Sequence, residues 1–535
     1  MSINFQEEIT KRNFIISILG IIAASIIIRI CFYPFDLPIT HDGDNFFSYA
    51  LDTSILNSLP QNYTLPNNGW PLFLSLFFKI FQFDSALGYM SIQRILSIML
   101  SVGTIIPMYF LCRRFFSPLL SLIGGVLFGF SPQIIQNSLL GVTEPLYIFL
   151  VTVSISLFLS KKPKMIYCSF WIIALASIVR YEGIVLVIPF SIMFFFKFQN
   201  KKAQIPKYII VITIFILILL PIAHIRNETI DNDGFSNVIK GPQYIINASS
   251  SDTGENYYKN IFDFLEHGIV GLVKYLGWSS IPYFLILIPF GIICLFKNIN
   301  HNKKTIVLIS IFLLLPAFYA YSREFQEMKY VLVMFPIFSF LSLYLIQFFI
   351  KKIKQPKKIF VIVLSAVLCS SILWVNYQLP DYDYERESLD IAHYIFENTD
   401  GINHYYPEAK YLIFAKYELD QSKYHFESNS FPTFSNEYSS TNIIWDRDRY
   451  SNEVLTFNST KEYIEFGQSQ NLTHIVTNGY NAEPKILNDV FFNEKEYPYL
   501  EKVFDSSENN FKKINVKIFK IDYKLFDDYY KNDQG

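Results

Sequence analysis

NFIISILGIIAASIIIRICFY, residues 13–33, is apolar enough and long enough to cross a bilayer as one helix, and it is the first of a series. A spanning helix needs about 20 apolar residues to cross roughly 30 Å of hydrocarbon, and an isolated segment satisfies its backbone there only by becoming helical. The run has no small-residue cleavage site and exceeds a signal-peptide core, so it reads as a retained helix entering behind Lys11 and Arg12. Comparable runs recur at 87–111, 117–134, 143–160, 165–180, 183–199, 207–224, 280–297, 305–321, 330–350 and 359–378. The pattern predicts an all-α polytopic membrane protein with about 11 transmembrane helices.

Composition narrows the class further. The 535 residues are 51% hydrophobic and 18% aromatic with a net charge of -1, which excludes a nucleic-acid binder relying on bulk positive charge. The cysteines, Cys31, Cys112, Cys168, Cys294 and Cys369, fall in or at the ends of apolar runs at spacings that match no zinc pattern. They read as core or lipid-facing residues.

The basic residues orient the chain. Arg113-Arg114, Lys161-Lys162-Lys164, Lys197 to Lys207, Lys297-Lys303-Lys304 and Lys351 to Lys358 all fall on the side of Lys11, which the charge bias makes cytoplasmic. Glycosylation sequons begin at Asn62, Asn227, Asn247, Asn458 and Asn471, all on the other side. The N-terminus is therefore expected in the cytoplasm and the C-terminus outside the cell membrane. Two domains are expected: a multi-pass unit, 1–379, with large outer loops 34–86 and 225–278, and an extracytoplasmic soluble domain, 380–535. The first loop contains an interfacial helix after Trp70; the second turns amphipathic from Ile261. The tail carries strand-like Lys410 to Phe414 and His474 to Thr477 and helix-like Leu389 to Phe396, enough for a small α/β domain.

Chemistry is expected where charge gathers beside apolar helices. The run Thr40-His41-Asp42-Gly43-Asp44 places two carboxylates just beyond the first span. Glu144 opens one span, Arg180 and Glu182 flank the junction of two, and Arg323, Lys329 and Tyr330 lie at another mouth. Each has an ordinary explanation: Glu144 favours a helix start, Arg180 and Glu182 form an ion pair, and the cations snorkel to the interface. Together they gather at one face, and charges in a membrane protein tend to face a cavity. Transfer of a sugar from a lipid-linked phosphate would use a carboxylate as base and cations to hold the departing phosphate.

The arrangement resembles the GT-C superfamily of integral-membrane glycosyltransferases, and within it the dolichyl-phosphate-mannose–protein mannosyltransferase and aminoarabinose-transferase branch. The carrying residues are Asp42-Gly43-Asp44, then Pro71-Leu72-Phe73, Gln93-Arg94-Ile95-Leu96-Ser97, Leu111 to Phe116, Phe130-Ser131-Pro132, Thr143 to Tyr147, Arg180 to Gly183, and Lys329 to Leu332. They span roughly residues 13–350. The resemblance implies a polyprenyl (dolichyl)-phosphate sugar donor, a protein, glycan or lipid acceptor, and a catalytic carboxylate at Asp42 with Asp44 beside it. It implies donor-phosphate contacts from Lys329, Arg323, Arg180 and Tyr330, with Glu144, Glu182 and His41 in support. Gly43 stands where Glu often follows the Asp, which leaves the base open between Asp42 and Asp44. Lys329 stands where Arg is commoner, keeping charge but not bidentate binding. Oligosaccharyltransferase-like branches would add a divalent cation, Mg²⁺ or Mn²⁺, on Asp42 or Asp44 with Glu144; the mannosyltransferase branch uses none.

Two other classes compete. A transporter or flippase of lipid-linked sugars would carry internal repeats and midplane charges, and neither is evident here. A non-catalytic scaffold displaying the tail would not need so many spans.

Overall fold

In the computed structural model of the chain, the described residues are 11–40, 42–60, 65, 67–81, 83, 85–198, 201–238, 240–241, 261–297, 299–399, 457, 459–469, 472–479 and 485–532. Each expected span is helical: Lys11–Cys31, Ala86–Gly103 with Ile105–Cys112, Pro118–Gly129 with Pro132–Leu139, Glu144–Phe158, Pro163–Val179, Val187–Lys197, Lys201–Ile230, Phe284–Lys297, His301–Ser322, Phe335–Ile353 and Pro356–Gln378. Among the described residues, 6 helices are long and apolar enough to cross a membrane, or up to 8 if each of two bent pairs is one span. Three shorter apolar helices, Gly69–Ile80, Glu144–Phe158 and Pro163–Val179, accompany them. Proline at the first turn starts several helices, at Pro118, Pro132, Pro145, Pro163 and Pro336, because the missing N–H there would have been unpaired.

Helix covers parts of the expected second loop. The helix Lys201–Ile230 continues past residue 224, and Ile261–Ser279 is an apolar helix bent by 112° against Phe284–Lys297. Close packing explains the second helix. A Cβ on Gly268 would lie 2.2 Å from Ser322 Oγ, and one on Gly271 2.6 Å from Tyr321 Cβ. Those approaches let Leu272, Tyr275 and Leu276 pack on Ala317, Tyr321 and Val331.

One buried polar node ties the helical part together. The Pro118–Gly129 and Pro132–Leu139 helices meet at 51°, and such a break strands a backbone carbonyl in a place without water. Gly129 O accepts from Ser25 Oγ at 3.1 Å and from Arg29 Nη1 at 3.0 Å. Arg29 also donates to Ser138 Oγ at 3.0 Å, to Ser101 Oγ at 3.1 Å and to the Ser25 carbonyl at 3.1 Å. Its guanidinium is fully buried and donates to neutral oxygens.

The chain divides into two compact units. One comprises residues 1–33, 64–77 and 92–378; the other comprises 34–63, 78–91 and 379–535. In the second, β1 (His474–Thr477), β2 (Leu500–Asp505) and β3 (Lys517–Ile521) form an antiparallel sheet in the order β1-β3-β2. Ile475, Val476, Ile518 and Phe519 form its core with Ile391 and Ile395 of the helix Tyr382–Asn398. Glu387 fixes that helix by accepting from the backbone N–H groups of Lys512, Lys513 and Ile514 at 2.8, 2.7 and 2.9 Å. Arg386 on the same helix makes a two-point pair with Asp36, Nε to Oδ2 at 2.5 Å and Nη2 to Oδ1 at 3.3 Å. The loop that carries the acidic pair thus belongs to the same unit as the tail. The strand-like run Lys410 to Phe414 and the sequons at Asn62, Asn247, Asn458 and Asn471 lie outside the described residues; Asn227 lies in the helix Lys201–Ile230.

Candidate active site

The helices Glu144–Phe158 and Pro163–Val179 are joined by a short turn and pack side by side, so the start of the first and the end of the second meet at one end. Glu144 is the first residue of one, and Arg180 caps the other with extended backbone, φ -141° and ψ 119°. That extension turns the chain into the 3-10 helix Tyr181–Leu186 and sets Glu182 on the far side of the guanidinium. Arg180 Nη1 lies 2.5 Å from Glu144 Oε1, and Arg180 Nε lies 2.5 Å from Glu182 Oε1. Arg180 is 8% exposed and Glu144 5%. Charges so buried are tolerated when paired and hydrogen-bonded, and removing one partner strands the rest.

Two rings complete the surround. The guanidinium carbon of Arg180 sits 5.8 Å from the Tyr147 ring and 5.9 Å from the Tyr330 ring, within cation–π range. Tyr330 and Lys329 come from a second 3-10 turn, Met328–Met334. Lys329 Nζ pairs with Glu327 Oε2 at 2.6 Å. Glu144, Tyr147, Arg180, Glu182, Lys329 and Tyr330 together line a cleft of about 330 Å³, its open mouth included. Neither carboxylate bridge uses Arg180 Nη2.

The Arg180 turn is held from behind by residues that no charge pattern singled out. Tyr181 N–H donates to Asn67 Oδ1 at 3.0 Å and its hydroxyl to Asn68 Oδ1 at 3.0 Å. Arg226 covers the Tyr181 ring at 5.3 Å while donating to Leu65 O at 3.0 Å and Asn232 O at 3.2 Å. Phe235 packs on that ring at 4.8 Å. Gly234 has φ +79°, and a Cβ there would lie 2.4 Å from Tyr181 Cε2. Gly69 is equally confined, since a Cβ would meet Val179 Cα at 2.5 Å. Next to it, Trp70 Nε1 and Gln93 Nε2 each donate to Gly141 O at 2.8 Å, fixing the turn before Glu144. Trp70, Gln93 and Tyr181 fall in stretches that carry the sequence resemblance, and Arg226, a charge at the end of an apolar run, is a further signal that could have pointed to this frame.

The structure does not collect every expected residue. Asp42 and Asp44 occupy the first turn of the helix Asp42–Leu56, in the unit that contains the tail, whereas the cleft residues belong to the other unit. Asp42 is exposed; Asp44 is half-buried, and burial pushes its carboxyl up to about 7. A carboxyl so poised can accept a proton near neutral pH. Arg323 is exposed, with its guanidinium against the Tyr319 and Phe325 rings at 5.9 and 5.2 Å, and does not line the cleft. His41 lies outside the described residues. Among the described residues no three His, Cys, Asp or Glu side chains converge on a point that could hold a metal ion. The expected set Asp42, Asp44 and Glu144 is split between the units, and Arg180 already engages Glu144.

No family model matches the sequence, and no curated protein matches it. Solved structures do. An oligosaccharyltransferase from Archaeoglobus fulgidus, crystallised with Zn and sulfate, superposes with a TM-score of 0.54 at 14% identity over 91% of this chain and 71% of that one. The archaeal oligosaccharyltransferase AglB from Archaeoglobus fulgidus, with an inhibitory peptide and a dolichol-phosphate, gives 0.50 at 13% identity over 86% and 69%. ArnT from Cupriavidus metallidurans, bound to undecaprenyl phosphate, gives 0.46 at 9% identity over 75% and 68%, too distant to carry an argument. The chain is a multi-pass membrane protein that shares the fold of the archaeal oligosaccharyltransferase structures. At such identities the likeness establishes fold and leaves activity to be argued from the site.

Proposed function

We propose that this protein is a glycosyltransferase that moves a sugar from a polyprenyl-phosphate donor to a protein, glycan or lipid acceptor at the extracytoplasmic membrane face. The observation that carries the reading is the buried Arg180, braced by Glu144 and Glu182, lining one cleft with Lys329 and Tyr330. The dolichol-phosphate and peptide named with the AglB structure support a lipid-linked donor and a peptide-like acceptor for the shared fold.

In this reaction an acceptor hydroxyl gives its proton to the carboxylate of Asp44 or Asp42. The acceptor oxygen bonds to the anomeric carbon as the bond from that carbon to the phosphate oxygen breaks. The electron pair leaves with the lipid phosphate. Lys329 and Arg180 Nη2 offset the charge developing on that phosphate, while Glu144 and Glu182 hold the guanidinium so that it need not reorganise. Tyr330 shapes the cleft beside them, and the exposed Arg323, outside the cleft lining, guides the anionic headgroup. A divalent cation, if the enzyme uses one, would draw on Asp42 and Asp44, and no step above depends on it. In the cell membrane the N-terminus is cytoplasmic, and residues 380–535 form an extracytoplasmic domain that engages acceptor.

The test is direct. Purified protein incubated with polyprenyl-phosphate sugars and an acceptor should release lipid phosphate, and Asp44→Asn or Asp42→Asn should lower turnover by roughly 10²- to 10⁴-fold without unfolding the protein. Wild-type turnover in both single variants would sink the assignment of this loop.

A further inference from the structure

The end of the helical unit opposite the cleft holds a second concentration of charge. In sequence, the five stretches 112–118, 159–166, 196–208, 296–305 and 350–359, which fall between or beside its helices, contain seventeen Lys and Arg with no Asp or Glu. A bias toward positive charge during insertion explains the sign of that end. It does not explain why part of the charge is held in place by the fold.

Specific contacts hold three of these cations, Lys197, Lys303 and Arg113. Lys197 Nζ donates to the Phe158 carbonyl and lies 5.2 Å from the Phe158 ring. Lys303 Nζ lies 5.2 Å from the Tyr344 ring and 3.4 Å from Leu295 O. The Phe116 ring packs on the same tyrosine at 4.9 Å, and Arg113 Nη1 donates to Phe116 O at 2.6 Å. Lys197 lies within electrostatic reach of Arg114, and His301 within reach of Lys197 and Lys304. His301 Nε2 and Tyr344 Oη, both buried atoms, have no hydrogen-bond partner among the described residues. Like charges gathered this closely repel one another, and the turns offer no carboxylate to offset them.

From this juxtaposition we propose that the turns around Arg114, Lys197 and His301 to Lys304 bind the phosphate of an anionic phospholipid. The same turns place large apolar side chains in the open: Phe196 is 65% exposed, Phe296 55% and Ile299 40%. An anion at this level is therefore flanked by side chains suited to acyl chains, which favours a lipid headgroup over a soluble phosphate. A juxtamembrane cation contributes about a fivefold gain in affinity for an anionic surface.

Full-length protein in detergent, titrated with phosphatidylglycerol and followed by native mass spectrometry, tests the site. Phosphatidylcholine of the same chain length and inorganic phosphate are the comparison ligands. Arg114→Gln/Lys303→Gln/Lys304→Gln should lower phosphatidylglycerol affinity about a hundredfold, whereas Lys351→Gln/Lys354→Gln/Lys358→Gln, removing equal charge from the same end, should change it less than fivefold. Equal losses in the two variants would mean diffuse attraction and no site. Phosphatidylcholine binding as well as phosphatidylglycerol, or displacement of the lipid by equimolar inorganic phosphate, would also overturn the proposal. Arg114 and Lys304 are exposed, so Arg114→Gln/Lys304→Gln, expected to lose about 25-fold, serves if the triple variant does not fold.

Discussion

Two buried arginines in the helical unit solve the same electrostatic problem in opposite ways. Arg29 is fully buried and donates to serine hydroxyls and backbone carbonyls of four segments. Arg180 is 8% exposed and is bound by two carboxylates at the mouth of a cleft. Neutral oxygens satisfy a guanidinium's hydrogen bonds while leaving its charge in place, so Arg29 serves to fill a break between helices. Paired carboxylates hold a guanidinium in one orientation, and the Nη2 edge stays available to a ligand. On the proposed function, the difference separates a charge used for assembly from one used for recognition.

The largest effects should come from breaking each node in turn. Arg180→Met leaves Glu144 and Glu182 without their shared partner, costing about 3–5 kcal/mol of stability. It should also lower sugar transfer by at least roughly a hundredfold. Arg29→Met should be far milder, because Ser25 Oγ keeps its bond to Gly129 O and Ser138 Oγ keeps one to Ile135 O at 2.6 Å. Its turnover is expected within about threefold of wild type, since an apolar side chain of similar volume replaces a buried charge. Measuring melting and turnover for both variants breaks the comparison if Arg29→Met folds normally but loses transfer. The triple variant Arg180→Met/Glu144→Gln/Glu182→Gln sharpens it: stability should return and activity should not.

Sequence reading reached one of these nodes and missed what supports it. That Glu144, Arg180, Glu182 and Lys329 gather in one place was legible because charge beside an apolar helix is costly. The helical character of the expected runs was also legible, as each apolar run can satisfy its backbone in one way. Tyr181, Asn67, Asn68 and Gly234 were not. Their roles depend on contacts between segments more than 50 residues apart, and no local period or spacing encodes those. The affiliation of residues 34–63 with the tail was hidden likewise, resting on contacts such as the pair of Asp36 with Arg386, 350 positions away.

Intermediate effects should come from loosening the Arg180 turn without touching a charge. Gly234→Ala adds a Cβ that would lie 2.4 Å from Tyr181 Cε2 at a backbone angle few side chains adopt. The expected loss is about 1–3 kcal/mol. Tyr181→Phe removes the hydroxyl's bond to Asn68 and should cost about 1 kcal/mol. If the turn positions Arg180, both should lower kcat with KM for acceptor unchanged, Gly234→Ala more than Tyr181→Phe. Loss of melting temperature with wild-type kcat in the folded fraction would reduce Tyr181 to a packing residue. Nothing comparable surrounds Arg29, whose partners are the helices themselves.

The smallest effect is a pH dependence, and it decides between the two loop carboxylates. Neither arginine titrates near neutrality, so any change there must come from a group such as Asp44, whose carboxyl burial pushes up to about 7. As base it must be ionised, so transfer should rise with pH through about 7 and level off above it. The sign for stability is opposite. A carboxyl whose folded value is raised favours the folded state while protonated, and that contribution is lost as pH rises from the ordinary carboxylate range through about 7. Asp44→Asn removes the titration, so its melting temperature should vary less with pH than that of wild type across this window. A turnover profile flat from pH 5.5 to 8, together with an unaltered stability profile in Asp44→Asn, would move the base to the exposed Asp42 and leave Asp44 as a neighbour.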